Sequence, residues 1–208
     1  MSDFTELLAR VATELPAHRD ELNRLDGVAG DGDLGLTVTM ACRALLELAP
    51  SLESMTEVAA IRAAGMEIAK KAPSTGGTLI AFALMGAAKA QVDPGASGVL
   101  RAATYLEAAA ATIAQRGQVA SGDRTMLDAL EPAARALRTA ADAGDGASEA
   151  AAAGAKAADD GATATASMAA KVGRAGWLAD RAAGNEDAGA RLIALAVAAA
   201  AMGVSSGR

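Results

Sequence analysis

Residues 25–37 read LDGVAGDGDLGLT. Three carboxylates, Asp26, Asp31 and Asp33, fall within eight positions, interleaved with Gly27, Gly30, Gly32 and Gly35. Acids this close repel one another unless a proton or a cation stands between them. The glycines permit sharp turns that can aim all three side chains at one point. Hard divalent ions, Mg²⁺ above all, take carboxylate oxygens and often share them with nucleotide phosphates. Apolar residues at helical spacing flank the stretch on both sides, so it reads as a loop between helices. Its two readings are a metal–nucleotide site and an acidic, glycine-rich surface turn.

Three familiar loops are excluded. Gly30, Gly32 and Gly35 spell G-x-G-x-x-G, but that fingerprint follows a strand and presents bare amides to a pyrophosphate. Here a helix precedes it, and Asp31 and Asp33 would repel a phosphate without a metal. The glycine spacing of a P-loop is present, yet Leu36 and Thr37 follow it and the phosphate-binding lysine is missing. No glutamate occupies the last ligand position of an EF-hand loop begun at any of the three aspartates.

Working outward, the 208 residues suit one domain over residues 1–208, and the pattern is all-α. Aromatic residues make up only 2% of the chain and alanine abounds, the residue of highest helix propensity. A core without large rings gains density by close helix approach, which small side chains allow. The 3.6-residue period, with Gly, Pro and cap residues as punctuation, predicts eight helices. The first runs from Asp3 to Leu25, bent at Pro16. The second covers Thr37 to Leu48 and stops before Pro50. A capping box of Ser54 and Glu57 opens the third, which ends at Lys71. The others span Thr78–Ala90, Ser97–Gly117, Thr125–Ala141, Ser148–Val172 and Asp187–Met202, with Asp93-Pro94-Gly95 as a turn. Long antiparallel helices with short connections imply an up-and-down bundle.

Composition narrows function. The net charge is −6, from 19 basic and 25 acidic residues, so there is no electrostatic footprint for nucleic acid. The single cysteine, Cys42, rules out an intrachain disulfide and a cysteine-based zinc cluster, and its apolar surroundings predict a core position. His18 is the only imidazole, so no Ser–His–Asp or Cys–His set can form. It follows Pro16 in a polar stretch and is expected at the surface. The start, MSDFTELLAR, lacks the basic n-region of a leader. The apolar run Leu192–Val204 is too short to cross a bilayer, and a cytoplasmic protein is expected.

Three further loops carry candidate chemistry. Pro73-Ser74-Thr75-Gly76-Gly77-Thr78 joins two helices and is either an anion site at a helix N-terminus or an ordinary Ser cap. Gly122-Asp123-Arg124-Thr125-Met126-Leu127-Asp128 opens the sixth helix, with Asp123 as its candidate cap. The last pairs Lys171-Val-Gly-Arg174-Ala-Gly-Trp177 with Asn185-Glu-Asp187-Ala188-Gly189.

These four loops, in this order, resemble the L subunit of dihydroxyacetone kinase, from Leu22 to Gly189. LDGVAGDGDLG is similar to that family's L-D-x-x-x-G-D-G-D-H-G, and SGDRTMLDAL to its G-D-K-T-M-x-D. GRAGWLADRAAGNEDAG is similar to G-R-A-S-Y-L-G-E-R-x-x-G-H-x-D-P-G. The resemblance implies a closed barrel of eight helices. It implies that Asp26, Asp31 and Asp33 bind two Mg²⁺ ions that hold the phosphates of ATP or ADP. It assigns Leu34, Gly35, Leu36 and Thr37, with Ser74, Thr75 and Gly76, to phosphate and nucleotide contacts. It places Gly117 and Met126 around the adenine, and Arg174, Asp187, Ala188 and Gly189 near the nucleotide. The implied activity is transfer of a phosphoryl group to dihydroxyacetone or a related short-chain keto sugar. The sugar is carried covalently by a histidine of a separate K-type subunit, so a partner is expected. In one mode of the family ATP is exchanged. In the other, resident ADP is rephosphorylated by a phosphotransferase-system protein. Other members of such a kinase class imply a tetrose or a fatty acyl acceptor, or a non-catalytic nucleotide-sensing role. The chain departs from the pattern in three places: Leu34 stands for the motif histidine, Ala188 for the proline after Asp187, and Ala72–Gly77 for a Gly-Gly-Ala-Ser-Gly-Pro loop.

Overall fold

The computed structural model describes residues 3–172 and 182–205. The first rod comprises α1 (Asp3–Glu14), a 3-10 turn (Leu15–His18) and α2 (Arg19–Ala29). Pro16 stands at the start of that turn, where its missing N–H and fixed φ distort the helix without ending it. Then follow α3 (Leu34–Leu52), α4 (Glu57–Lys71), α5 (Thr75–Ala87), α6 (Gly98–Gly117), α7 (Leu127–Ala143), α8 (Ala147–Ala164) with a 3-10 turn (Thr165–Ser167), and α9 (Ala188–Ser205). Among the described residues there are thus eight helical rods.

Each rod packs on the next, and α9 returns to α1 and α2, so the ring closes. An even number of rods lets the first and last also meet antiparallel. One consequence governs function. The links α2–α3, α4–α5, α6–α7 and α8–α9 all lie at one end of the barrel. The links α3–α4, α5–α6 and α7–α8 lie at the other. The described parts of all four loops singled out in the sequence therefore share an end.

Small residues let the rods approach closely. One core cluster is built wholly of alanines: Ala129 and Ala133 of α7, Ala158 and Ala162 of α8, Ala190 and Ala194 of α9. Each pair is spaced i, i+4, so it lines one helix face. A Cβ on Gly161 would overlap the backbone carbonyl of Asp128, which measures how near α8 runs to α7. Cys42 lies in the core as expected, and burial pushes its thiol up to about 11. His18 is half-buried and 3.2 Å from Glu21. No described helix is long and apolar enough to cross a membrane.

Several boundaries differ from expectation. Rod one continues four residues past Leu25, so Asp26 sits on the last turn of α2 instead of in the loop. Helix α3 begins at Leu34, three residues early, and carries Pro50 in its last turn. Thr56, not Ser54, caps α4, accepting from the Ala59 amide at 3.4 Å. Helix α5 starts and ends three residues early, α7 starts two residues late, and α8 stops at Ala164.

Candidate functional site

The metal-loop candidate is shaped by side chains from α2. Asp26 Oδ2 accepts the amides of Gly32 at 2.8 Å and Asp33 at 3.0 Å, folding the loop back over the helix that precedes it. Gly32 takes φ +75, a left-handed conformation that favours glycine. One turn earlier on α2, Asn23 Oδ1 accepts from Gly35 at 2.7 Å and Leu36 at 3.3 Å. It therefore caps α3 from another helix, which is why α3 starts without a cap of its own. A Cβ on Gly35 would overlap the Arg19 carbonyl, so only glycine allows α3 to dock this closely on α2.

The result is a compact acidic triad. Asp26, Asp31 and Asp33 each present an oxygen, and the three lie within 4.8 Å of one another. Asp26 is half-buried, while Asp31 and Asp33 are exposed. Two opposite ligands on one magnesium span about 4.2 Å, so a small side-chain rotation of the exposed pair would suit the ion. Hard anionic oxygens, a net charge of −3 and an open face fit a divalent cation. The amides of Gly35 and Leu36 are turned to Asn23 and that of Thr37 to the Asp33 carbonyl. The loop thus offers carboxylates at its surface.

The other three loops join the metal loop in a circuit of contacts. Ser74 caps α5, its Oγ accepting from Gly77 at 3.0 Å, with Thr75 exposed on the first turn. A Cβ on Gly76 would stand 3.0 Å from Leu34 Cδ1, so the first and second loops touch. One on Gly117 would stand 3.8 Å from Leu79 Cδ2, joining the second and third. One on Gly189 would stand 3.5 Å from both Cβ and Cε of Met126, joining the third and fourth. Leu34, Ala72 and Ala188 share one buried cluster, which returns the fourth loop to the first. Leu34, standing where the motif has histidine, is here a packing residue. Arg174 and Trp177 lie outside the described residues.

Asp128 and Thr165, to which sequence reasoning gave no role, help to lock the third and fourth loops. Asp128 is buried and accepts from the amides of Gly122 and, at 2.8 Å, Thr125. Asp123, expected to cap the helix, instead accepts from the Ala120 amide at 2.8 Å and from Lys171 at 3.1 Å. Thr165, fully buried, accepts the Asp187 amide at 2.8 Å. Asp187 caps α9, its Oδ2 accepting from Ala190 at 2.8 Å. Burial pushes the Asp187 carboxyl up to about 6, against the lowering pull of the Ala190 amide and the Arg124 guanidinium. Of the missed residues only Asn23 left a signal, three positions before Asp26 and so on the same helix face.

Comparison with known proteins supplies names for this arrangement. The model of the DAK2 domain matches residues 28–202. D-erythrulose kinase of Mycolicibacterium smegmatis is 35% identical over 198 residues, covering 89% of this chain and 32% of the relative. The ADP-binding subunit DhaL of a PEP-dependent dihydroxyacetone kinase of Listeria innocua is 30% identical, covering 84% of this chain and 82% of the relative. The crystal structure of the dihydroxyacetone kinase of C. freundii, described as in complex with AMP-PNP and Mg²⁺, superposes with a TM-score of 0.73 at 26% identity. That match covers 95% of this chain and 33% of the other. This chain spans about a third of the length of the erythrulose kinase and of the C. freundii enzyme, and most of the length of the DhaL subunit.

Proposed function

This chain belongs to the DAK2 domain family, a family of kinases by the names of its relatives, and on that premise we propose that its loop end binds a magnesium–adenine nucleotide for phosphoryl transfer. The acceptor is a primary hydroxyl of a short-chain keto sugar, dihydroxyacetone or a homologue, carried by a K-type partner. The observation that carries the reading is the aspartate triad, three carboxylate oxygens within 4.8 Å at the end where the four loops meet.

The chemistry asks for position and charge more than for a covalent catalyst. Two magnesium ions bound by the triad would bring +4 against −3, giving a cationic seat for polyphosphate in a chain of net charge −6. Asp26 sets the loop through the amides of Gly32 and Asp33, and so places Asp31 and Asp33 beside it. Asn23 holds the first turn of α3 behind that loop. Ser74 orders the first turn of α5, whose positive helix end favours phosphate. Met126 and Gly189 lie together and offer an apolar edge to the base. In transfer from ATP, the bond between the γ-phosphorus and the bridging oxygen breaks to release ADP, a bond to the sugar oxygen forms, and the hydroxyl proton passes to a base of the partner. The sugar and the groups that activate it belong to the partner.

A four-carbon acceptor is the second reading, favoured by the erythrulose kinase relative. Calorimetric titration tests the nucleotide site directly. Asp31→Asn and Asp33→Asn should abolish Mg·ADP binding with helicity unchanged, and undiminished affinity in both would refute it. Turnover of dihydroxyacetone against erythrulose with a K-type partner then ranks the acceptors. Stoichiometric ADP retained through dialysis would favour the resident-cofactor mode over exchange of ATP.

A further inference from the structure

We infer that Arg124 is a positioning residue for the base side of the nucleotide site, an inference that rests on the reading above. Its guanidinium is almost fully enclosed, at 4% exposure for the residue. Nε donates to the Thr165 carbonyl at 3.2 Å. Nη2 donates to the carbonyls of Ala182 at 3.0 Å and Asn185 at 2.7 Å. One side chain from the α6–α7 loop thus grips the end of α8 and the approach to α9 together.

The local backbone is bent to allow this. Arg124 takes φ +62, where a non-glycine residue is uncommon and strained. Asp128 imposes the bend by drawing in the amides of Gly122 and Thr125 on either side. Strain of this sort persists only where surrounding structure over-determines it, and it gathers at working sites. The grip is relayed onward. Thr165, whose carbonyl Arg124 holds, takes the Asp187 amide on its hydroxyl. Asp187 caps α9 and so sets the turn that lays Gly189 on Met126. The metal loop has hydrogen bonds of its own, from Asp26 to Gly32 and Asp33 and from Asn23 to Gly35 and Leu36. The hydrogen bonds made by Arg124 go to the base end, and a fault at Arg124 should register mainly there.

One guanidinium serves three carbonyls at once, which a neutral side chain of similar length cannot. The test is titration of the full chain with Mg²⁺ and ADP, and separately with Mg²⁺ and pyrophosphate, which reaches only the aspartate end. The proteins are wild type, Arg124→Gln and Arg124→Ala. Arg124→Gln should weaken ADP by about tenfold, the scale on which supporting residues act, and change pyrophosphate by less than about twofold. Arg124→Ala should widen the ratio further, and should it fail to fold, Arg124→Gln decides alone. Equal losses for the two ligands would mean a general packing role and overturn the inference, as would an unchanged ADP affinity. Asp31→Asn, which should lose both ligands, tells failure of this inference apart from failure of the nucleotide reading.

Discussion

Asp187 is a carboxyl held where charge is costly. Its Oδ2 caps α9 and its burial raises the pKa from the ordinary carboxylate range to about 6. In the unfolded chain it titrates near 3.9. Below pH 4 it is protonated in both states and adds no pH dependence. Between pH 4 and 6 the unfolded chain gives up this proton while the folded chain keeps it. Stability is thus highest at the acid side and is lost as pH rises through about 6. A shift of that size is worth roughly 2–3 kcal/mol by linkage. Asp187→Asn keeps an oxygen for the Ala190 amide and removes the titration. The melting temperature of the variant relative to wild type should therefore climb between pH 4.5 and 7.5. A difference that stays constant across that range would show that the carboxyl is not desolvated. Sequence reasoning starts the last helix at this residue, and the family resemblance puts it near the nucleotide. It had no means of finding the burial, which comes from Arg124, Asp128 and Thr165 converging from distant parts of the chain.

At the scale of elements, the alanine content made the fold class readable, and glycine decides how the helices fit. Gly161 and Gly98 are both helical, yet they should respond to alanine with opposite signs. At Gly98 an added Cβ meets nothing within 4 Å, so Gly98→Ala should stabilise by roughly 0.5–1 kcal/mol through the unfolded chain alone. At Gly161 the Cβ would overlap the Asp128 carbonyl, and backbone cannot move aside as a flexible side chain can. Gly161→Ala should therefore cost about 1–3 kcal/mol in spite of alanine's better propensity. Urea denaturation of the two variants checks both signs, and a stabilised Gly161→Ala would mean that α7 and α8 stand further apart. The same physics explains which boundaries were legible. Gly98–Gly117 was read almost to the residue, because Ser97 caps α6 and accepts from Leu100 at 3.2 Å within the local sequence. The start of α3 was misread because its cap, Asn23, belongs to the preceding helix. The end of α8 was misread because alanine favours helix past Ala164, whereas Arg124 claims the Thr165 carbonyl there.

Over the whole molecule, an up-and-down ring converts order along the chain into position in space. Four loops at alternate links were legible as separate motifs, and an even ring places them together without any further instruction. What could not be read was the circuit of contacts, Leu34 on Gly76, Leu79 on Gly117 and Met126 on Gly189, since each joins residues far apart in sequence. Because those loops join the eight rods in four pairs and α9 packs back on the first rod, a ligand seated among them should brace the barrel as a whole. Binding to the folded state alone adds about 2.7 kcal/mol at a hundredfold excess over Kd. For a domain of this size that corresponds to a rise of roughly 5–10 °C in Tm. Mg·ADP should produce such a rise, and chelation with EDTA should erase it, because the acidic loop repels phosphate unless a cation fills it. Hydrogen exchange should slow at residues 30–37, 74–79 and 118–126 and be little changed at 53–56 and 144–146, which lie at the far end. An ADP-induced rise that survives EDTA would place the nucleotide somewhere other than the aspartate triad. Protection spread equally over both ends would mean that the ligand acts on the barrel without entering the loop circuit.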